Sequence, residues 1–266
     1  MEIAGYFLAV FVGLTMGLIG GGGSILTVPI LVYLFGMNPL LASSYSLFVV
    51  GFTSAIGVIS HYKKGNIRFK NALFFGIPSI IGVFATRKYL LPLIPAHVFS
   101  VNGFVVTKST MLLVLFAVLM ISASYYMIRK SDGKEANLNA GIHKKTLILL
   151  GLIIGTLTGL LGAGGGFMIV PVLIYCSLNM RQAVGTSLFI MTMSSLIGFL
   201  GDVHLGVKID YLFLLKYSAM AAAGILIGTY LSNYISSAKL KPAFGVFILL
   251  SGLYILLKEI LFNNPS

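Results

Sequence analysis

GLIGGGGSILTVP, residues 17–29, places four consecutive glycines, Gly20 to Gly23, inside an apolar run. Each glycine in a helix interior costs about 1 kcal/mol relative to alanine, so a plain membrane helix would not collect four. The surrounding apolar run covers residues 3–35. A continuous helix of that length would measure about 50 Å, too long for one straight crossing of roughly 30 Å of hydrocarbon and too short for two. The glycines therefore divide the run into two half-helices joined by a loop. Pro29 follows in the first turns after the break, where proline is better tolerated than mid-helix.

The same device recurs. GLIGGGGSILTVPILVY (17–33) matches GLLGAGGGFMIVPVLIY (159–175) at nine of seventeen positions without a gap. The second run, 147–178, is broken by Gly162 and Gly164–Gly166, and Pro171 follows. Downstream, ASSYSLF (42–48) lies over AVGTSLF (183–189), Gly57 over Gly198, Gly65 over Gly206, Gly82 over Gly224, and ISASYYMI (121–128) over LLSGLYIL (249–256). The chain is thus two homologous repeats.

Apolar segments fall at 3–35, 40–60, 71–91, 98–128, 147–178, 183–201, 211–233 and 240–262. This predicts an all-α integral membrane protein, about four segments per repeat, the first of each broken by a Gly-rich loop. Residues 1–128 form the first repeat and 147–266 the second. RKSDGKEANLNAGIHKK (129–145) marks a polar linker over 129–146. The first repeat has extra residues around PAHVFSVNGFVVTKS (95–109), expected to be an extramembrane excursion. MEIAGYFLAVFVGL lacks a basic leader and reads as a retained first helix.

Composition agrees. The 266 residues are 58% hydrophobic and 9% charged, with mean hydropathy +1.02, whereas a soluble domain is about a quarter charged. The net charge of +12 sits mainly in short loops, as in cytoplasmic loops of membrane proteins, and does not point to nucleic acid. Six acidic residues and one cysteine, Cys176, exclude a disulfide within the chain and a multi-cysteine metal site. No metal or cofactor is expected. The four histidines form no H-E-x-x-H pattern, which argues against an intramembrane enzyme, and no G-x-x-x-x-G-K-[ST] sequence supports ATP coupling.

Irregular backbone at membrane depth must face protein or water. Consecutive glycine N–H groups form an anion-binding concavity, and the half-helix that follows directs its positive end at the same place. Paired breaks in corresponding positions of two repeats point to a transporter site. The expected site for a small anion is Gly20, Gly21, Gly22, Gly23 and Ser24 with Gly162, Gly164, Gly165 and Gly166. The plain alternative is close helix packing. Ser46, Thr186 and Ser187 open the next segments and could bind an oxyanion or bond their own backbone; Thr53/Ser194 and Ser54/Ser195 also align between repeats. His61 aligns with Asp202, with His204 nearby. These three are candidates for ion coupling, with solvated loop ends as the alternative.

G-L-x-G-x-G-G-[GS] followed by V-P in both halves, then A-x-x-x-S-L-F and a later glycine, resembles the sulfite exporter TauE/SafE family, also called toluene sulfonate uptake permeases. The likeness runs from about residue 5 to 260. It implies a multi-pass permease of bacterial or archaeal plasma (inner) membranes for sulfite, sulfonates or related anions. The copies differ at Ser24 against Gly166 and at Gly21 against Ala163, so the two loops need not contribute equally. If the broken segments cross fully, the repeats run parallel; if they are re-entrant hairpins, the repeats are inverted. Basic residues in the loops do not separate these arrangements, and the segment lengths favour inversion. The expected function is secondary transport of a small sulfur-containing anion, by export coupled to an ion gradient. An anion channel, or a permease for another small organic anion, is the alternative. The partners are the anion and the bilayer, and the sequence fixes no oligomeric state.

Overall fold

A computed structural model describes residues 2–101, 104–128, 144–176, 178–232, 234 and 237–261. The linker read at 129–146 lies outside the described residues up to 143; helix begins at Lys144.

The first half contains α1 (Glu2–Ile19), a 3₁₀ turn (Gly21–Leu26), α2 (Thr27–Tyr33), α3 (Pro39–Lys63) and α4 (Phe69–Ala85). A π-helical turn (Thr86–Leu90) and α5 (Leu91–Leu93) prolong α4. Strands β1 (His97–Val101) and β2 (Phe104–Thr107) then pair antiparallel ahead of α6 (Lys108–Ile128). The fourth apolar segment thus enters its helix at Lys108, not at residue 98. The second half contains α7 (Lys144–Leu161), α8 (Gly166–Tyr175), α9 (Met180–His204), α10 (Tyr211–Leu231) and α11 (Ser237–Leu261).

Local chemistry sets the helix starts. Asn38 Oδ1 accepts the Leu40 N–H, with Pro39 in the first turn. Asn179 Oδ1 accepts from Gln182, and Asp210 Oδ1 from Leu212 and Phe213. Gly65 and Gly206, with φ of 67° and 80°, turn the chain just past the ends of α3 and α9.

Among the described residues, six helical stretches are long and apolar enough to cross a membrane: Pro39–Lys63, Phe69–Leu93, Lys108–Tyr125, Lys144–Leu161, Met180–His204 and Tyr211–Leu231. The protein is a helical multi-pass membrane protein, and the short β-hairpin is the one sheet among the described residues. The apolar windows of α3 and α9 are 67% and 72% buried, against 39–44% for the other four. These two helices form the centre, packed together, with Gly51 on Leu196, Gly57 on Leu188 and Gly198 on Leu47. That order of contacts makes them antiparallel. Exposed Leu73, Ile77, Ile81, Leu212, Leu215 and Leu226 coat α4 and α10 as a lipid-facing surface would require.

Glycines decide the remaining pairings. Gly13 of α1 lies on Ala221 of α10, and Gly17 lies on Gly228 and Thr229, where an added methyl would stand 2.5 Å from the Thr229 nitrogen. Gly151 of α7 lies on Phe75 of α4, Gly155 on Ser79, and Gly159 on Val83 and Thr86. Both pairs run parallel, through the small-residue contact that lets membrane helices approach closely. Helices α6 and α11 pair antiparallel, with Gly252 on Met120 and Gly245 on Met127.

The broken segments turn back on themselves. Gly23 rests against Thr15, Val12 and Met16 of α1, and Phe35 reaches Gly5. The chain therefore returns along α1 after Gly20. In the second half Gly165 rests against Thr158 and Ile154 of α7. Each broken segment is a hairpin with its glycines at the tip.

Candidate functional site

The two tips meet at mid-length of α3 and α9. A methyl on Gly21 would lie 2.7 Å from the Gly166 carbonyl carbon and 2.5 Å from Met191 Sδ. Gly164 packs on Val50 and Met191, and Gly162 on the Ser43 backbone. Residues Gly20–Leu26 and Leu161–Phe167 are all buried. The space bordered by Thr158, Ala163, Gly165 and Phe167 is too small for a water molecule. The site lies sealed between the halves.

Its backbone donors are unused. Among the described residues, no backbone acceptor reaches the N–H groups of Ala163, Gly164, Gly165, Gly166 and Phe167, nor those of Gly21 and Gly22. Buried backbone N–H groups are nearly always paired, so a run of this kind at one place is unusual. Gly162, Gly164 and Gly165 take φ of 71°, 69° and 68°, a region costly to residues with a Cβ. Gly165 is the N-cap of α8, which adds the positive end of its dipole. At the first tip only Gly20 has positive φ. There the Ser24 hydroxyl donates to the Gly21 carbonyl at 2.6 Å and closes the turn.

The hydroxyls named from the sequence fall into two groups. Thr186 Oγ1 accepts the Arg68 N–H at 3.0 Å, and Ser187 donates to Val184 O at 2.9 Å while lying beside Gly20. Ser46, Thr53, Ser54, Ser194 and Ser195 are buried on α3 and α9 with no hydrogen-bond partner among the described residues.

The ionisable candidates separate. His204 is exposed in the last turn of α9. His61 is buried at the opposite end of the α3–α9 pair, and neither ring nitrogen has a partner. Asp202 is buried in an ion pair with Arg87, Oδ2 to Nη1 at 2.9 Å, the side chains 4% and 1% exposed. Ser44 Oγ lies 3.5 Å from the same Nη1. Arg87 escaped the sequence reading because FATRKYL (84–90) looks like a basic segment end. The signal was Asp202 itself: a carboxylate inside an apolar run needs a cation, and Arg87 is one of few available.

Among the described residues no cluster of three His, Cys, Asp or Glu side chains could hold a metal. A cavity of about 340 Å³ lies away from the tips, between α1, α2 and α11, lined by apolar side chains such as Leu8, Phe11, Pro29 and Phe247.

Comparison with known proteins agrees with this architecture. The profile of the family described as sulfite exporter TauE/SafE matches residues 6–255. A probable membrane transporter protein of Xylella fastidiosa is 28% identical, covering 92% of this chain and 91% of its own. YdhB of Bacillus subtilis, a probable membrane transporter protein, is 28% identical over 92% of this chain and 96% of its own. A probable membrane transporter protein of Methanocaldococcus jannaschii is 28% identical over 94% and 95%. No solved structure matches. A profile match over nearly the whole length, with relatives of the same size, makes the chain a membrane transporter that belongs to the sulfite exporter TauE/SafE family.

Proposed function

We propose that the protein is a secondary transporter exporting a small sulfur-containing anion, sulfite or an organosulfonate, driven by an ion gradient. The observation that carries this reading is the set of buried N–H groups without acceptors where the two glycine tips meet. An oxyanion with several lone pairs satisfies such donors, and a cation does not. Gly20–Gly23 and Ser24 form one wall, Gly162 and Gly164–Gly166 the other, and Ser46 and Ser187 flank them.

We further propose that the halves are an inverted repeat. The parallel pairs α1/α10 and α4/α7, with the antiparallel pairs α3/α9 and α6/α11, support opposite directions for corresponding elements of the two halves. Rocking of one half against the other would then open the sealed tips to either side in turn. His61, with two unpartnered nitrogens in a buried position, is the stronger proton carrier; Asp202 has its own cation, and His204 faces outward.

Flux of labelled sulfite in proteoliposomes, competed with taurine, sulfoacetate and sulfate, with and without a pH gradient, tests the reading. Saturable, gradient-sensitive flux is expected. Flux that grows without saturation would make the protein a channel. No flux of any of these anions through folded protein would break the assignment of a sulfur substrate.

A further inference from the structure

The buried guanidinium of Arg87 is only partly used. Nη1 bonds Asp202 and approaches Ser44, while Nε and Nη2 have no partner among the described residues. Nε–H and Nη2–H form the side-on edge of a guanidinium, the fork whose spacing fits two oxygens of one oxyanion. Asp202 does not take that edge. It meets the opposite end through a single oxygen.

An ion pair kept only for stability would match fork to carboxylate, because two buried donors left unmet are costly. The backbone goes out of its way to place this side chain. Arg87 sits in the π-helical turn that interrupts α4, a distortion common at functional sites. The turn also joins this part of the helix to the approach of the second tip. Thr86 packs on Gly159, Ser44 is beside Arg87, and its neighbour Ser43 packs on Gly162.

We propose that the Nε/Nη2 edge of Arg87 is an oxyanion subsite that takes two oxygens of a sulfite, sulfonate or carboxylate group. Asp202 is a positioning residue that holds the guanidinium from its other end. The inference rests on reading the chain as an anion transporter and names the side chain that recognises the cargo.

The test is thermal stabilisation of the purified protein by sulfite, taurine, acetate and phosphate. The wild type is expected to show saturable stabilisation by at least one of them. Arg87→Lys keeps the charge opposite Asp202 and lacks the fork. It should raise the half-saturating concentration about tenfold or more while melting near the wild type without anion. A purely structural ion pair would shift the melting temperature and leave half-saturation unchanged. Since Asp202→Asn alone strands a buried charge, the second variant is the neutral double change Arg87→Gln with Asp202→Asn, expected to fold and to lose the stabilisation. No stabilisation of the wild type by any of the four anions, or wild-type half-saturation in either variant, overturns the subsite. Arg87-dependent stabilisation without sulfite or sulfonate flux breaks the choice of cargo alone. Flux with Arg87-independent stabilisation breaks the subsite alone.

Discussion

At the first tip Gly20 alone has positive φ, and the chain leaves it through a 3₁₀ turn closed by the Ser24 hydroxyl. At the second tip Gly162, Gly164 and Gly165 all have positive φ, and α8 starts directly at Gly166. The two stretches share most of their residues and differ in backbone because position 24 carries a hydroxyl and position 166 carries nothing. The hydroxyl takes up the Gly21 carbonyl and winds the first tip tightly. Without it, the second tip opens a row of N–H groups in front of a full helix N-terminus. On the proposed reading the first tip is mainly a wall, and the second mainly a cradle.

The largest effect should come where the tips touch. Gly166→Leu would drive a side chain into Gly21 and Met191. It would also cover the N–H groups, and the Gly21 backbone cannot yield as the Met191 side chain could. Transport is expected to fall to background, while membrane insertion, followed by fractionation, persists. Substantial flux in this variant would return both glycine clusters to a packing role.

Next comes Gly165→Ala. Here the cost is conformational as well as steric. The αL backbone disfavours a Cβ by about 1–2 kcal/mol, and the new methyl meets Thr158 Oγ1. The expected result is flux reduced severalfold with a rise in KM, read from concentration-dependent uptake. An unchanged KM would mean that the second tip does not touch the cargo.

The contrast between the tips also marks what a sequence can carry. The breaks, the duplicated motif and the caps at Asn38, Asn179 and Asp210 rest on local chemistry, and all are readable in order along the chain. Whether a broken segment crosses or folds back is not local. It depends on Gly23 finding Val12 and Met16, and on Gly165 finding Thr158. The Arg87–Asp202 pair joins residues far apart in sequence, and a π turn that no propensity announces buries the arginine. The β-hairpin at 97–107 did leave a mark, since Asn102-Gly103 between two apolar runs is a hairpin signal.

The smallest effect is expected from making the first tip like the second. Ser24→Gly copies the residue at position 166 and removes the hydrogen bond to the Gly21 carbonyl. The loss of that bond, with the added freedom of glycine, amounts to about 1–2 kcal/mol. A lower melting temperature with nearly normal flux is the expected pair of results, because Ser24 acts on its own turn. A KM raised as much as in Gly165→Ala would reverse the assignment. The Ser24 hydroxyl would then reach the anion once the tips part, and the first tip would be a second cradle rather than a wall.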